Sequence, residues 1–266
     1  MIMMDVRALA MRYAALEPPV TLVAGRPSTA DWTSLDRLVA AEVAVRVEAI
    51  AATRSAPPAV GGSLLMGWTA RAVALPLLGA LVLTDQAPVL DPATVWLQGA
   101  FDGHTGAVAW PEQVMAAPDD PVRATAETLR SLVGPLVEAV HACVPLGRRG
   151  LWAAVGDAVA QAASSLGRGE QDGPWIAAAD AVCAALDPSS PGPRWVAVGD
   201  GDRTWTWFTR TSCCLAYQSP AHGYCGTCPK LAPDERHERL VTTLRNLHEG
   251  ARSRSGRTGE PVWVTG

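Results

Sequence analysis

Four of the six cysteines fall within the run CCLAYQSPAHGYCGTC, residues 213–228, with the spacing C-C-x10-C-x2-C. This feature constrains the fold most, because the chain must bend back on itself to bring the four thiols together. Neighbouring residues on an extended strand point to opposite sides. Cys213 and Cys214 can therefore serve one centre only if the chain turns sharply there. The Cys225-x2-Cys228 half suits a single ion or a cluster, with Gly226 letting the backbone wrap closely. Zinc and iron–sulfur are the two metal readings. Zinc requires all four sulfurs on one tetrahedral atom, whereas a two-iron core offers two separate targets. A disulfide or an inert group of thiols is the remaining alternative. Cys143 and Cys183 stand alone in apolar helical stretches and read as buried, inert thiols.

The start, MIMMDVRALAMRYAALEPP, does not read as a signal peptide, since Asp5, Arg7 and Arg12 interrupt any apolar region. The expected compartment is the cytoplasm, where thiols stay reduced and free to bind metal. Leu64 to Leu83 has the length of a membrane span. Arg71 within it is costly in lipid, and Pro76 follows, so a buried core helix is the expectation and no integral membrane segment is assigned. The net charge of −4 excludes a general nucleic-acid binder. Residues 203–266 nevertheless hold nine Arg or Lys against five Asp or Glu. That basic end is either a solvated tail or a docking surface for an anionic partner.

Along the chain, Trp32 to Arg54 reads as a helix ended by SAPPAVGG (55–62), and Leu64 to Thr84 as a second helix bent near Pro76. Short extended pieces at 94–98 and 106–110 suggest a small sheet. Pro121 to Val144, with Pro135 as an internal break, Leu151 to Leu166 and Trp175 to Leu186 read as further helices. DPSSPGPR (187–194) is a linker. Trp195 to Val198 and Arg203 to Arg210 read as a hairpin turning at Gly199-Asp200-Gly201-Asp202. A charged helix follows at about 233–250, and 251–260 reads as loose. The expected class is α+β: a helix-dominated body with a small β-sheet and, on the iron–sulfur reading, a C-terminal iron–sulfur cluster loop. The expected divisions are a mainly helical body with a substrate cleft (1–200), a hairpin and cluster-binding segment (201–232), and a C-terminal helix with a basic tail (233–266).

The cysteine spacing, together with Arg210, Ser212, Tyr217, Gly223, Tyr224, Gly226 and Pro229, resembles the C-terminal segment of the FhuF-like ferric siderophore reductases. The resemblance is strong over about 203–231 and looser over about 61–98. It implies a [2Fe–2S] cluster on Cys213, Cys214, Cys225 and Cys228 and reduction of ferric siderophores, often hydroxamates, in the cytoplasm. It transfers no substrate-binding residue.

By chemistry alone, Arg210, His222 and Lys230 would place positive charge near the thiols. Tyr217, Tyr224 and Trp207 would shield the centre or stack on a ligand, with simple packing as the plainer role for Trp207 and Tyr217. His222 is an alternative iron ligand, or an exposed or proton-relaying side chain. Trp68, Arg71, Trp96, Trp110 and Trp152 are cleft candidates, with core packing as the plainer role for most of the tryptophans. There is no G-x-G-x-x-G after a strand and no phosphate-binding loop, so electrons are expected from an external donor such as a ferredoxin or a flavoprotein reductase. The rival readings are an iron–sulfur carrier or redox sensor without its own substrate, a zinc-stapled interaction protein and, last, a relative of siderophore synthetases.

Overall fold

The computed structural model describes residues 4–16, 19–29, 31–99, 106–168, 173–186, 192–220 and 222–254, with side chains described as far as 246. In chain order the elements are α1 (Val6–Ala14), β1 (Thr21–Ala24), β2 (Trp32–Ser34), α2 (Leu35–Arg37), α3 (Val43–Thr53) and α4 (Pro58–Thr84). A π-helical turn, Leu38–Glu42, joins α2 to α3. Next come β3 (Ala87–Pro88), β4 (Trp96–Gln98), β5 (Ala107–Trp110), β6 (Met115–Ala116), α5 (Pro121–Cys143), α6 (Arg148–Leu166) and α7 (Pro174–Leu186). The hairpin β7 (Arg194–Asp200) and β8 (Arg203–Thr209) precedes the cysteine segment, and α8 (Pro233–Arg254) follows it. The helix-dominated α+β class is as expected.

Helix α4 is the centre of the body. It is apolar on all sides and packs against α1, α3, α5, α6 and α7. By length and composition it would cross a membrane, but 78% of its apolar window is buried inside the protein. Its start corrects the sequence reading. Gly61 and Gly62, taken above as helix breakers, lie within α4. They are there because neighbours come too close for a side chain. A Cβ on Gly61 would lie 2.1 Å from the Val47 carbonyl oxygen on α3, and one on Gly62 would lie 2.7 Å from Val144 Cγ2. Pro58 starts the helix at a position that needs no N–H, and Asp85 ends it in the left-handed region at φ 55°.

Two other readings change. Trp32–Ser34 is a strand, not the first turn of a helix, because it pairs antiparallel with β4. The buried helical pattern begins only at Leu35. Helix α5 continues through Pro135, held by buried Leu132, Val133, Leu136 and Val137 on either side of it. Cys143, expected to be buried, is exposed at the end of α5, whereas Cys183 is buried as expected.

The short strands form a four-stranded sheet in the order β1-β5-β4-β2, with β1 and β5 parallel and the other pairs antiparallel. It lies against the body through buried Val108, Trp110 and Leu97. Of the linker at 187–194, residues 187–191 lie outside the described ones, as do 255–260 of the stretch read as loose. Helix α8 extends past the expected end to Arg254.

A second, smaller core carries the C-terminal part. Val198, Trp205, Trp207 and Phe208 of the hairpin close on Ala160 of α6 and on Leu240 and Leu244 of α8. Trp207 thus packs inside this core. The hairpin turns through a two-residue loop, Gly201-Asp202, flanked by the Asp200–Arg203 pair. Gly201 takes φ 59° there, the conformation a primed hairpin turn requires. Strand β8 then delivers the chain to the cysteines directly beside α6.

Candidate metal centre

The segment after β8 is tied to the body from four sides. The first tie is Asp157, a 4% exposed carboxylate on α6. Its Oδ1 accepts from the Thr211 N–H (2.8 Å) and hydroxyl (3.1 Å), and its Oδ2 from the Ser212 N–H (2.9 Å) and hydroxyl (2.5 Å). The second is Ser63 on α4, whose hydroxyl donates to the Cys213 carbonyl at 3.5 Å. The third is the end of α3, where Ser219 donates to the Arg54 carbonyl at 2.6 Å. The fourth is α8, whose Arg236 donates to the carbonyls of Cys228 (3.3 Å) and Leu231 (2.8 Å).

Within the segment the two halves of the cysteine motif are stitched together by Arg210 and Thr227. The Arg210 N–H donates to the Thr227 carbonyl at 3.0 Å, and its Nε to the Thr227 hydroxyl at 3.3 Å. Leu215, just past the cysteine pair, adopts the left-handed conformation at φ 59° and turns the chain into a short 3-10 turn, Ala216–Gln218. The Cys228 N–H donates to the Cys225 carbonyl at 2.9 Å and closes the C-x2-C half. Gly226 does not have positive φ, and a Cβ there would meet only ordinary contacts from 3.7 Å outward. The expected wrap is therefore made by the turn and not by a conformation unique to glycine.

The Cys214 and Cys225 thiols interact through their side chains and shift each other's ionisation in opposite directions. The interaction with Cys214 brings the Cys225 thiol down to about 6, against the opposing effect of burial. The same interaction, with burial, raises the Cys214 thiol. Arg210 favours the thiolate at both positions. Cys228 is 3% exposed under α8, whereas Cys213, Cys214 and Cys225 are partly open.

The other sequence-predicted residues fall into two groups. Lys230 donates to the Tyr217 hydroxyl at 2.8 Å and lies 4.3 Å from the centre of that ring. Tyr224 stacks at 5.2 Å between ring centres on Tyr217, which brings the three side chains into one partly exposed platform beside Cys213. His222 is exposed and bonds Arg54, whose guanidinium lies 5.8 Å from the centre of Trp68. Trp68 thus sits below the edge of the segment. Arg71 lies close enough to Arg210 to feel its charge. Burial, then Arg210, brings its guanidinium down to about 10, and its Nε is shut off from solvent without a hydrogen-bond partner. Trp110 is core. Trp96 and Trp152 pair with Arg26 and Arg130 elsewhere.

All six cysteines are free thiols, so the four clustered ones are available to a metal. Among the described residues no three Cys, His, Asp or Glu side chains are gathered tightly enough to hold one ion. The thiols stand instead as neighbours in pairs: 213 beside 214 in sequence, 214 against 225, and 225 joined to 228 by one turn. A two-iron core divides four thiolates between two irons. In number and chemistry the donors fit that group.

A family model described as the FhuF 2Fe-2S C-terminal domain matches residues 210–230. The segment is that of a [2Fe–2S] domain. No curated protein matches the chain. The matched FhuF span begins at Arg210 and ends at Lys230, so it coincides with the unit that the Arg210–Thr227 bonds close and that Asp157 anchors.

Sequence reasoning missed Asp157, Ser63, Arg54, Arg236 and Arg239, the last of which bonds the Tyr224 carbonyl. Asp157 had a readable signal. It is the only charged residue in the run LWAAVGDAVAQAASSL, and a lone acid in a buried helix requires partners.

Proposed function

We propose that this protein is a cytoplasmic ferric siderophore reductase in which Cys213, Cys214, Cys225 and Cys228 hold the [2Fe–2S] cluster. The observation that carries the reading is the four-thiol segment, matched as a [2Fe–2S] domain and anchored to a large helical body, with Cys213 partly open beside a partly exposed Tyr217–Tyr224–Lys230 platform. A bare electron carrier needs no such body.

When bound, the cluster supplies single electrons at low potential, down to roughly −400 mV for all-cysteine ligation. Arg210 offsets negative charge at the thiols from within. Cys228 would be shielded from water on the inner side, whereas the partly open Cys213 lies on the side that a ferric complex could approach. The platform gives an incoming ferric complex an aromatic surface and a cation beside that edge.

The substrate iron is bound through hard oxygen donors that suit Fe(III) far better than Fe(II). One electron passes to that iron, Fe(III) becomes Fe(II), and the weakened complex releases it. No bond to carbon forms or breaks, so no acid or base beyond the ligand set is required. The electron is restored by an external donor, a ferredoxin or a flavoprotein reductase. The test is a single turnover without oxygen. Reduced protein mixed with a ferric hydroxamate and a ferrous chelator should give about one chelated Fe(II) per cluster. A reduced protein that the complex leaves reduced would favour the carrier or sensor reading instead.

A further inference from the structure

The acid beneath the cysteine pair does more than fill a helix. We propose that Asp157 is the positioning residue of the redox centre: it holds Thr211 and Ser212, and so fixes the main chain that enters Cys213 and Cys214, and its charge holds the cluster potential down. The inference rests on the reading that these cysteines carry the cluster.

A carboxylate offers about four acceptor sites. Here all four contacts go to two consecutive residues, and those residues immediately precede the two adjacent ligands. Two of the donors are backbone N–H groups, so the carboxylate fixes the direction of the main chain and not only of side chains. The Ser63 hydroxyl takes the next carbonyl, that of Cys213, at 3.5 Å. The cysteine pair is thus gripped just before and at its first member, while Leu215 turns the chain just after it. Asp157 also lines a small pocket between α4 and α6, together with Ser63, Gly67, Gln161, Arg210 and Cys214. Asp157 and Arg210 thus line the same pocket as Cys214.

The effect on potential follows from the sign of the charge. Gaining an electron makes the centre more negative, so a buried anion beside it opposes reduction and lowers the potential. Removing that anion raises it. The effect on retention follows from hydrogen bonding. An Asn side chain keeps one oxygen, and its amide group turns N–H donors toward one of the two backbone N–H groups, leaving that group buried and unpaired.

The test compares wild-type holoprotein with Asp157→Asn, Asp157→Glu and Ser212→Ala, all purified without oxygen. Iron and sulfide content, the rate of cluster loss to a strong chelator and the midpoint potential are measured on each. Asp157→Asn should lose its cluster at least about tenfold faster and shift its potential upward. Ser212→Ala keeps the charge and should lose the cluster faster with little shift in potential. Asp157→Glu should restore the potential more than the retention. Wild-type retention and potential in Asp157→Asn would overturn the inference while leaving the reductase reading intact. Should Asp157→Asn fail to fold, wild-type retention in a Thr211→Val, Ser212→Ala double variant would overturn it instead. A wild-type protein without iron would overturn the cluster reading itself, and this inference with it.

Discussion

Arg210 and Thr227 are joined twice, by a main-chain bond of 3.0 Å and by a bond from Nε to the threonine hydroxyl of 3.3 Å. The same hydroxyl lies 3.8 Å from Cys225 Sγ. One threonine therefore links Arg210, three residues before the first cysteine pair, to a sulfur of the second. Hydrogen bonds to cluster sulfurs raise the potential. Thr227→Val should keep the main-chain bond and the cluster, lose about 1 kcal/mol of stability, and show a more negative midpoint in a redox titration. Thr227→Ser should restore the wild-type value.

The contact between α3 and α4 predicts a stability difference between two glycines on one helix. Gly61→Ala would drive a methyl group into the Val47 carbonyl, so it should destabilise the protein by about 2 kcal/mol or more. Nothing lies within 4 Å of a Cβ on Gly67. Gly67→Ala should therefore stabilise α4 by up to about 1 kcal/mol. Urea denaturation of the metal-free variants separates the two outcomes.

The thiols of the metal-free protein should react in a fixed order with iodoacetamide. Cys225, brought down to about 6, should be modified first at neutral pH, and its rate should fall as pH drops through about 6 and the thiolate is protonated. Exposed Cys143 should follow. Cys183, buried and pushed up to about 12, should stay unmodified in the folded state. Peptide mapping by mass spectrometry at several pH values reads the order directly.

The platform should govern substrate encounter and not the cluster. Lys230 and Tyr217 are coupled through their hydrogen bond, which raises the lysine and lowers the tyrosine. Lys230→Met should leave the visible spectrum unchanged. It should slow reoxidation by an anionic ferric complex several-fold and flatten the dependence of that rate on salt, as expected when a steering charge is lost. Stopped-flow mixing over a range of ionic strength tests this. An unchanged rate would place the docking surface elsewhere.

How much of this was legible in the sequence depends on the range of the interaction. The hairpin, α5, α6 and α7 declared themselves through local period and turn residues, and the cysteine spacing located the candidate centre, which the family resemblance read as [2Fe–2S]. What failed was set by distant neighbours. Gly61 and Gly62 look like breakers until Val47 and Val144 are seen against them. Trp32–Ser34 looks helical until Trp96–Gln98 pairs with it. The role of Asp157 lies in partners 54 and 55 residues away, which no local pattern records. Arg71 was singled out for its chemistry, and its nearness to Arg210 appears only in the fold.

The most direct test of the central claim is a visible spectrum of the protein purified without oxygen, with iron and zinc counted on the same sample, followed by reduction and addition of a ferric siderophore. The account predicts about two irons per chain, charge-transfer bands that bleach on reduction, and their return as Fe(II) is released. A colourless protein holding zinc, or a reduced cluster that the ferric complex cannot reoxidise, would contradict it.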